Sequence, residues 1–87
     1  NREAYFNLGN LYIELKKYDL AEQYYKLIEE NNKIETLHEL GVVLHNLGVI
    51  NEKKGDYIQA KEYYKKAFEN GYAESKQSLR DIEGMGY

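Results

Sequence analysis

Tyr18 recurs as Tyr57, Ala21 as Ala60, Tyr24-Tyr25 as Tyr63-Tyr64 and Lys26 as Lys65. Upstream, Leu8-Gly9 recurs as Leu47-Gly48, and every one of these pairs is 39 residues apart. A single spacing shared by separated segments constrains the fold more than any one motif. Each copy must be the same supersecondary unit, and neither can bury its apolar face without the other.

Inside each copy the apolar period is helical. Ala4, Tyr5, Leu8, Leu11, Tyr12 and Leu15 form one stripe, Lys16 and Lys17 interrupt it, and Tyr18, Ala21, Tyr25 and Ile28 form a second. Copy two gives Leu40, Val43, Leu44, Leu47 and Ile50, then Lys53-Lys54-Gly55-Asp56 as a turn. Its second stripe is Tyr57, Ala60, Tyr64, Ala67 and Phe68, stopped by Asn70-Gly71. From Ala73 to about Glu83, Leu79 and Ile82 share one face of a shorter helix. Asp19 and Asp56 are candidate caps, with Glu22 and Gln59 three residues on as capping-box partners. The expectation is an all-α chain of about five helices. The first helix of copy two is the unusual one: it should start near Glu35 and run about 20 residues, some 30 Å, to Lys54.

At 87 residues the chain is one small domain. Such a chain buries only about 60–65% of its unfolded surface, so its core is thin. It begins at Asn1 rather than Met and is expected to be a piece of a longer one. A formal net charge of −3 argues against nucleic-acid or anionic-membrane surfaces. No apolar run reaches the roughly 20 residues of a membrane span, and no signal-like segment is present, so a cytoplasmic location is expected. With no cysteine, thiolate metal sites and disulfides are excluded.

The doubled segment "LHELGVVLHNLGVI" raises a metal site through His38 and His45. Two helical turns separate the rings by about 10 Å, too far for one ion to bridge. Besides the tyrosines, the hydroxyls are Thr36, Ser75 and Ser78, none in a nucleophile context. The glycines of Leu-Gly-Val-Val and Leu-Gly-Val-Ile sit inside helical stripes and are not phosphate loops. No catalytic residue, metal or cofactor is expected, and the chain does not read as an enzyme. In Tyr24-Tyr25 and Tyr63-Tyr64 one tyrosine reads as the core aromatic and its neighbour as partly covering the next helix, rather than as base-stacking platforms.

"YFNLGNLYIELKKYDLAEQYYKLI" and "LHNLGVINEKKGDYIQAKEYYKKAF" resemble tetratricopeptide repeats. Tyr5, Leu8, Gly9, Tyr12, Tyr18, Ala21, Tyr25 and Ile28 fill that family's slots in copy one. Leu44, Leu47, Gly48, Asn51, Tyr57, Ala60, Tyr64 and Ala67 fill them in copy two, with Asn51 in place of the expected aromatic and a softer contact expected there. The long period and "ENGYAESKQSL" are similar to the related Sel1-like repeats, while Arg80 departs from their Leu-Gly. The resemblance implies antiparallel helix-turn-helix repeats stacked as an α-α superhelix. Repeat 1 would span about 2–32, repeat 2 about 34–71 with an extended first helix, and a capping helix about 73–83.

By that resemblance, the first helix of each repeat lines a concave face that contacts a peptide or partner protein. Mapped residue by residue, the partner-binding set is Phe6, Asn7, Asn10, Glu14, His45, Asn46, Val49 and Lys53. Asn7 and Asn46 are equivalent, and their amides can both donate to and accept from a ligand backbone. Phe6 and His45 stand where the family's carboxylate clamp has basic residues, so a chaperone C-terminal tail does not fit. The alternative role is self-association, as a homodimer or a growing array, through Ile34, Leu37, Leu40 and Gly41 on the extended helix. A further alternative is the sensor part of a bacterial regulator.

Overall fold

The computed structural model describes residues 2–30 and 37–87, with Arg2, Leu37 and His38 as backbone alone. Among these residues there are five helices and no strands: α1 (Arg2–Glu14), α2 (Tyr18–Glu30), α3 (Leu37–Lys53), α4 (Tyr57–Glu69) and α5 (Ser75–Gly84). Each packs on the next in chain order, so α1–α2 and α3–α4 are the two hairpins and α5 covers the end of the second.

Both hairpins turn by the same backbone device, placed by the same spacing. Lys16, at φ 61°, and Gly55, at φ 85°, are equivalent residues in the left-handed region. After each, a backbone N–H reaches five residues back, Lys17 to Tyr12 and Asp56 to Asn51, both at 2.8 Å. This closes the preceding helix and reverses the chain. Copy two uses the residue suited to that conformation; copy one holds a lysine there at a cost of about 1 kcal/mol.

The helix starts differ from the sequence expectation at one of the two aspartates. Asp56 caps α4, its Oδ1 accepting from the Gln59 N–H at 3.1 Å. Asp19 does not cap α2, which begins one residue earlier at Tyr18. The residue equivalent to Asp56 is Lys17, which has no acceptor. Asp19 instead accepts from Lys54 Nζ at 2.8 Å, and Glu22 pairs with the same ammonium at 3.2 Å. The pair therefore ties α2 to the end of α3 rather than forming a capping box.

The core follows the repeat. Ala21, Tyr25 and Ile28 of α2 meet Val43, Leu44, Leu47 and Ile50 of α3 and Tyr63 and Ala67 of α4. A second cluster joins Ala60 and Tyr64 of α4 to Ile82 of α5, with Val49 and Leu79 against it. The Leu-Gly glycines make the close approach possible: a Cβ on Gly9 would lie 2.7 Å from the Tyr25 ring, and one on Gly48 2.7 Å from the Tyr64 ring. Side chains cannot share that space, so the A and B helices of each repeat meet there at backbone distance.

The extended helix α3 has 17 residues against 13 in α1, α2 and α4. It is described from Leu37, and the expected start near Glu35 lies outside the described residues, as does Ile34. Leu40 is half-buried against the main cluster and Val43 is fully buried in it. Gly41 is buried beneath Tyr72, from the α4–α5 connection, whose Cβ would be 2.7 Å from a Cβ on Gly41. The chain's own fifth-helix connection thus covers the added turn at Gly41. No helix among the described residues is long and apolar enough to cross a membrane.

Candidate protein-binding face

Tyr25 stands at the junction of α1, α2 and α3. Its ring is fully buried and meets Phe6 edge-on, with centroids 5.9 Å apart. A buried phenol must find partners for its hydroxyl, and two asparagines supply them. The Tyr25 hydroxyl donates to Asn10 Oδ1 on α1 and accepts from Asn46 Nδ2 on α3 at 3.3 Å. Burial pushes the phenol up to about 12, with the Asn46 hydrogen bond pulling the other way. Tyr25 therefore stays neutral and fixes which way both amides point. Asn10 is left with its NH2 group, and Asn46 with its carbonyl and one N–H.

The expected partner-binding residues separate into three groups. Asn10 and Asn46 are joined by the hydroxyl, with Asn7 exposed one turn before Asn10 and Phe6 half-buried against the Tyr25 ring. Glu14 and Lys53 lie exposed at the ends of α1 and α3. His45 and Val49 face the other way, toward α4 and α5. Val49 packs on the second cluster. The His45 ring lies between Tyr64 and Tyr72, at centroid distances of 5.1 and 5.0 Å, and its Nδ1 is 2.8 Å from Ser75 Oγ. Ser75 is the first residue of α5 and is fully buried. His45 is thus a wedge that seats α5.

That placement gives a pH dependence. Burial lowers the His45 pKa below its ordinary 6.5, while Glu74 and Glu52 act in the opposite direction. The unfolded state then binds the proton more readily. Stability present above pH 6.5 is lost as pH falls from there through the lowered folded-state value. Urea midpoints at pH 7.5 and 5.5 should differ in the wild type, and His45→Gln should shrink that difference. An unchanged difference in the variant would remove the assignment.

Asn51 departs from the softer contact expected of it. It is buried, and its Nδ2 donates to Glu22 Oε2 at 3.1 Å and to the Leu47 carbonyl at 2.8 Å. Glu22 in turn accepts from Lys54, whose ammonium is held up in pKa chiefly by Asp19. Where an aromatic would fill space, Asn51 starts a polar chain across the repeat boundary. The sequence carried a signal for it, since an amide at an apolar slot needs a partner and Glu22 is the polar residue that α2 brings there. The roles of the Tyr25 and Tyr64 hydroxyls had no such signal. Tyr64 repeats the arrangement one unit on, donating to Glu52 Oε1 at 2.8 Å and sharing a hydrogen bond with Ser78 of α5.

Among the described residues no group of three or more His, Cys, Asp or Glu is placed to hold a metal ion. The residues joined at this face are amides and aromatic rings. The family model described as Tetratricopeptide repeat matches residues 2–72. A comparison with curated proteins gives no match.

Proposed function

Because the chain belongs to the tetratricopeptide repeat family, a non-catalytic scaffold family whose repeats generally mediate protein–protein interaction, we propose that it captures an extended segment of a protein partner across α1 and α3. The observation that carries this reading is the Asn10–Tyr25–Asn46 bridge. One amide on each of two neighbouring helices is held in a fixed orientation by a buried hydroxyl. A peptide backbone offers alternating donors and acceptors, and the NH2 of Asn10 and carbonyl of Asn46 complement them. Holding both amides before binding reduces the ordering cost that weakens flexible sites. Asn7 and the exposed edge of Phe6 extend the contact along α1, and Glu14 and Lys53 border it with charge. Self-association through Leu37, Leu40 and Gly41 has less support, because Tyr72 already covers Gly41.

The test begins with selection of peptides from a random displayed library on the wild-type chain. Affinity of a selected peptide is then measured by calorimetry against Asn10→Ala and Asn46→Ala. Each should lose about tenfold, the equivalent of one to two hydrogen bonds in a partly buried setting. Circular dichroism should show the same helix content. Full affinity in both variants would place the peptide elsewhere.

A further inference from the structure

The repeat frame makes two junctions of the same kind. At the first, Ala21 and Tyr25 of α2 receive Val43, Leu47 and Ile50 of α3, all fully buried, with Phe6 packed on the same cluster. At the second, Ala60 and Tyr64 of α4, the same slots 39 residues on, receive α5. Ile82 takes the place of Ile50 and Leu79 that of Leu47. Ser78 takes that of Asn46: as Asn46 reaches the Tyr25 hydroxyl, Ser78 reaches that of Tyr64. In this register Ser75 stands in the slot of Val43, and His45 in that of Phe6. The aromatic and aliphatic side chains of the first junction are thus replaced at the second by a polar pair, His45 Nδ1 and Ser75 Oγ at 2.8 Å.

Other differences weaken the second junction further. Helix α3 is packed on two sides, by α2 and by α4, whereas α5 has neighbours on one side. It has 10 residues against 17 in α3, and no side chain caps its start. Ile82 is its one fully buried apolar side chain. A helix so short does not hold by itself, so its seat decides how often it opens. Its remaining ties, the Tyr87 ring on Tyr57 and the Tyr87 carbonyl on Lys61 Nζ, lie at exposed positions. Nor does α5 offer a socket on its other side. Arg80 stands in the slot of Gly9 and Gly48, where a Cβ would lie 2.7 Å from the tyrosine ring of the following helix. A helix cannot fold back onto α5 as closely as α2 does onto α1.

We propose that α5 is a replaceable occupant of the α3–α4 face. In its place the face takes an amphipathic helix of a partner protein with aliphatic side chains at i, i+4 and i+7, the spacing of Val43, Leu47 and Ile50. The first junction shows what that helix is like: Ala60 and Tyr64 repeat the Ala21 and Tyr25 on which α3 lies, and α3 carries this stripe. A valine or isoleucine in the Ser75 slot buries apolar surface that the serine lacks. His45 is half-buried, so its ring nitrogen can turn to water when Ser75 leaves. The Asn10–Tyr25–Asn46 bridge takes no part, so helix docking here and peptide capture there are separable.

Hydrogen exchange of the full chain tests how α5 is held, and a synthetic peptide of residues 37–53, which carries the α3 stripe, tests what replaces it. Amides of residues 79–83 should exchange faster than those of 47–50 by about tenfold or more. The peptide should bind saturably and speed exchange at 79–83 further, leaving 47–50 unchanged. Ile82→Asp loosens α5 and should raise peptide affinity about tenfold, because affinity follows the fraction of open sites. His45→Phe with Ser75→Val installs the pair of the first junction. It should slow exchange in α5 and lower peptide affinity about tenfold. Should Ile82→Asp fail to fold, this double variant decides alone, since it strengthens the seat. An absence of peptide binding, or equal protection of the two segments, overturns the proposal. So does an affinity that neither variant changes. Faster exchange at 47–50 would show the peptide displacing α3 and overturns it too, as does a wild-type chain that sediments as a pair by exchanging α5 between copies.

Discussion

Tyr25→Ala should lower stability by about 3–5 kcal/mol, which is the cost of emptying a large buried aromatic site. Small domains sit at the low end of ~5–15 kcal/mol, so the variant should be largely unfolded at 37 °C. Three features converge on this ring: Phe6 packs on its edge, Gly9 gives it space, and its hydroxyl joins α1 to α3. Tyr25→Phe separates these contributions. It keeps the ring and removes the hydroxyl, at a cost of about 1 kcal/mol because Asn10 and Asn46 can turn to water. Urea unfolding followed by circular dichroism measures both. If Tyr25→Phe were as damaging as Tyr25→Ala, the hydroxyl bridge and not the ring would hold the repeats together.

Gly48→Val should cost about 2–3 kcal/mol, lowering the melting temperature by roughly 10–20 °C. A Cβ at Gly48 would meet Tyr64 Cδ1 and Cε1, each at 2.7 Å. The ring cannot swing away, since it is buried against Ala60 and Ile82 and its hydroxyl is bonded to Glu52. Gly84→Ala is the internal control, for nothing lies within 4 Å of a Cβ there. It should leave the melting temperature unchanged or raise it slightly, through helix propensity alone. A harmless Gly48→Val would mean that the two helices separate more easily than their packing indicates.

How far the sequence reached depends on which kind of interaction set each feature. The helices, their pairing and the Leu-Gly contact points were legible because one spacing and one apolar period determined them. Asp19 misled, because a capping box is local while the ammonium that claimed it arrives 35 residues later, on Lys54. His45 looked like a groove residue because its partners, Tyr72 and Ser75, come from a connection and a helix with no counterpart in the first repeat. Tyr25 was correctly placed in the core, yet a repeat pattern records side-chain size and is silent on where a hydroxyl ends. Burial of Gly41 was hidden for the same reason, since Tyr72 reaches it only after α4 has turned.

The bridge through the Tyr25 hydroxyl has one more consequence. Because Asn46 donates into it and Asn10 accepts from it, the two amides are left unequal: Asn46 on α3 keeps its carbonyl and one N–H, while Asn10 on α1 offers its NH2. An extended residue presents its N–H before its C=O along the chain. A backbone engaging both amides would therefore enter over α3 and leave over α1, and its reverse would set donor against donor. The groove would have a polarity, and peptides of inverted sequence should fail to bind even where their side chains match.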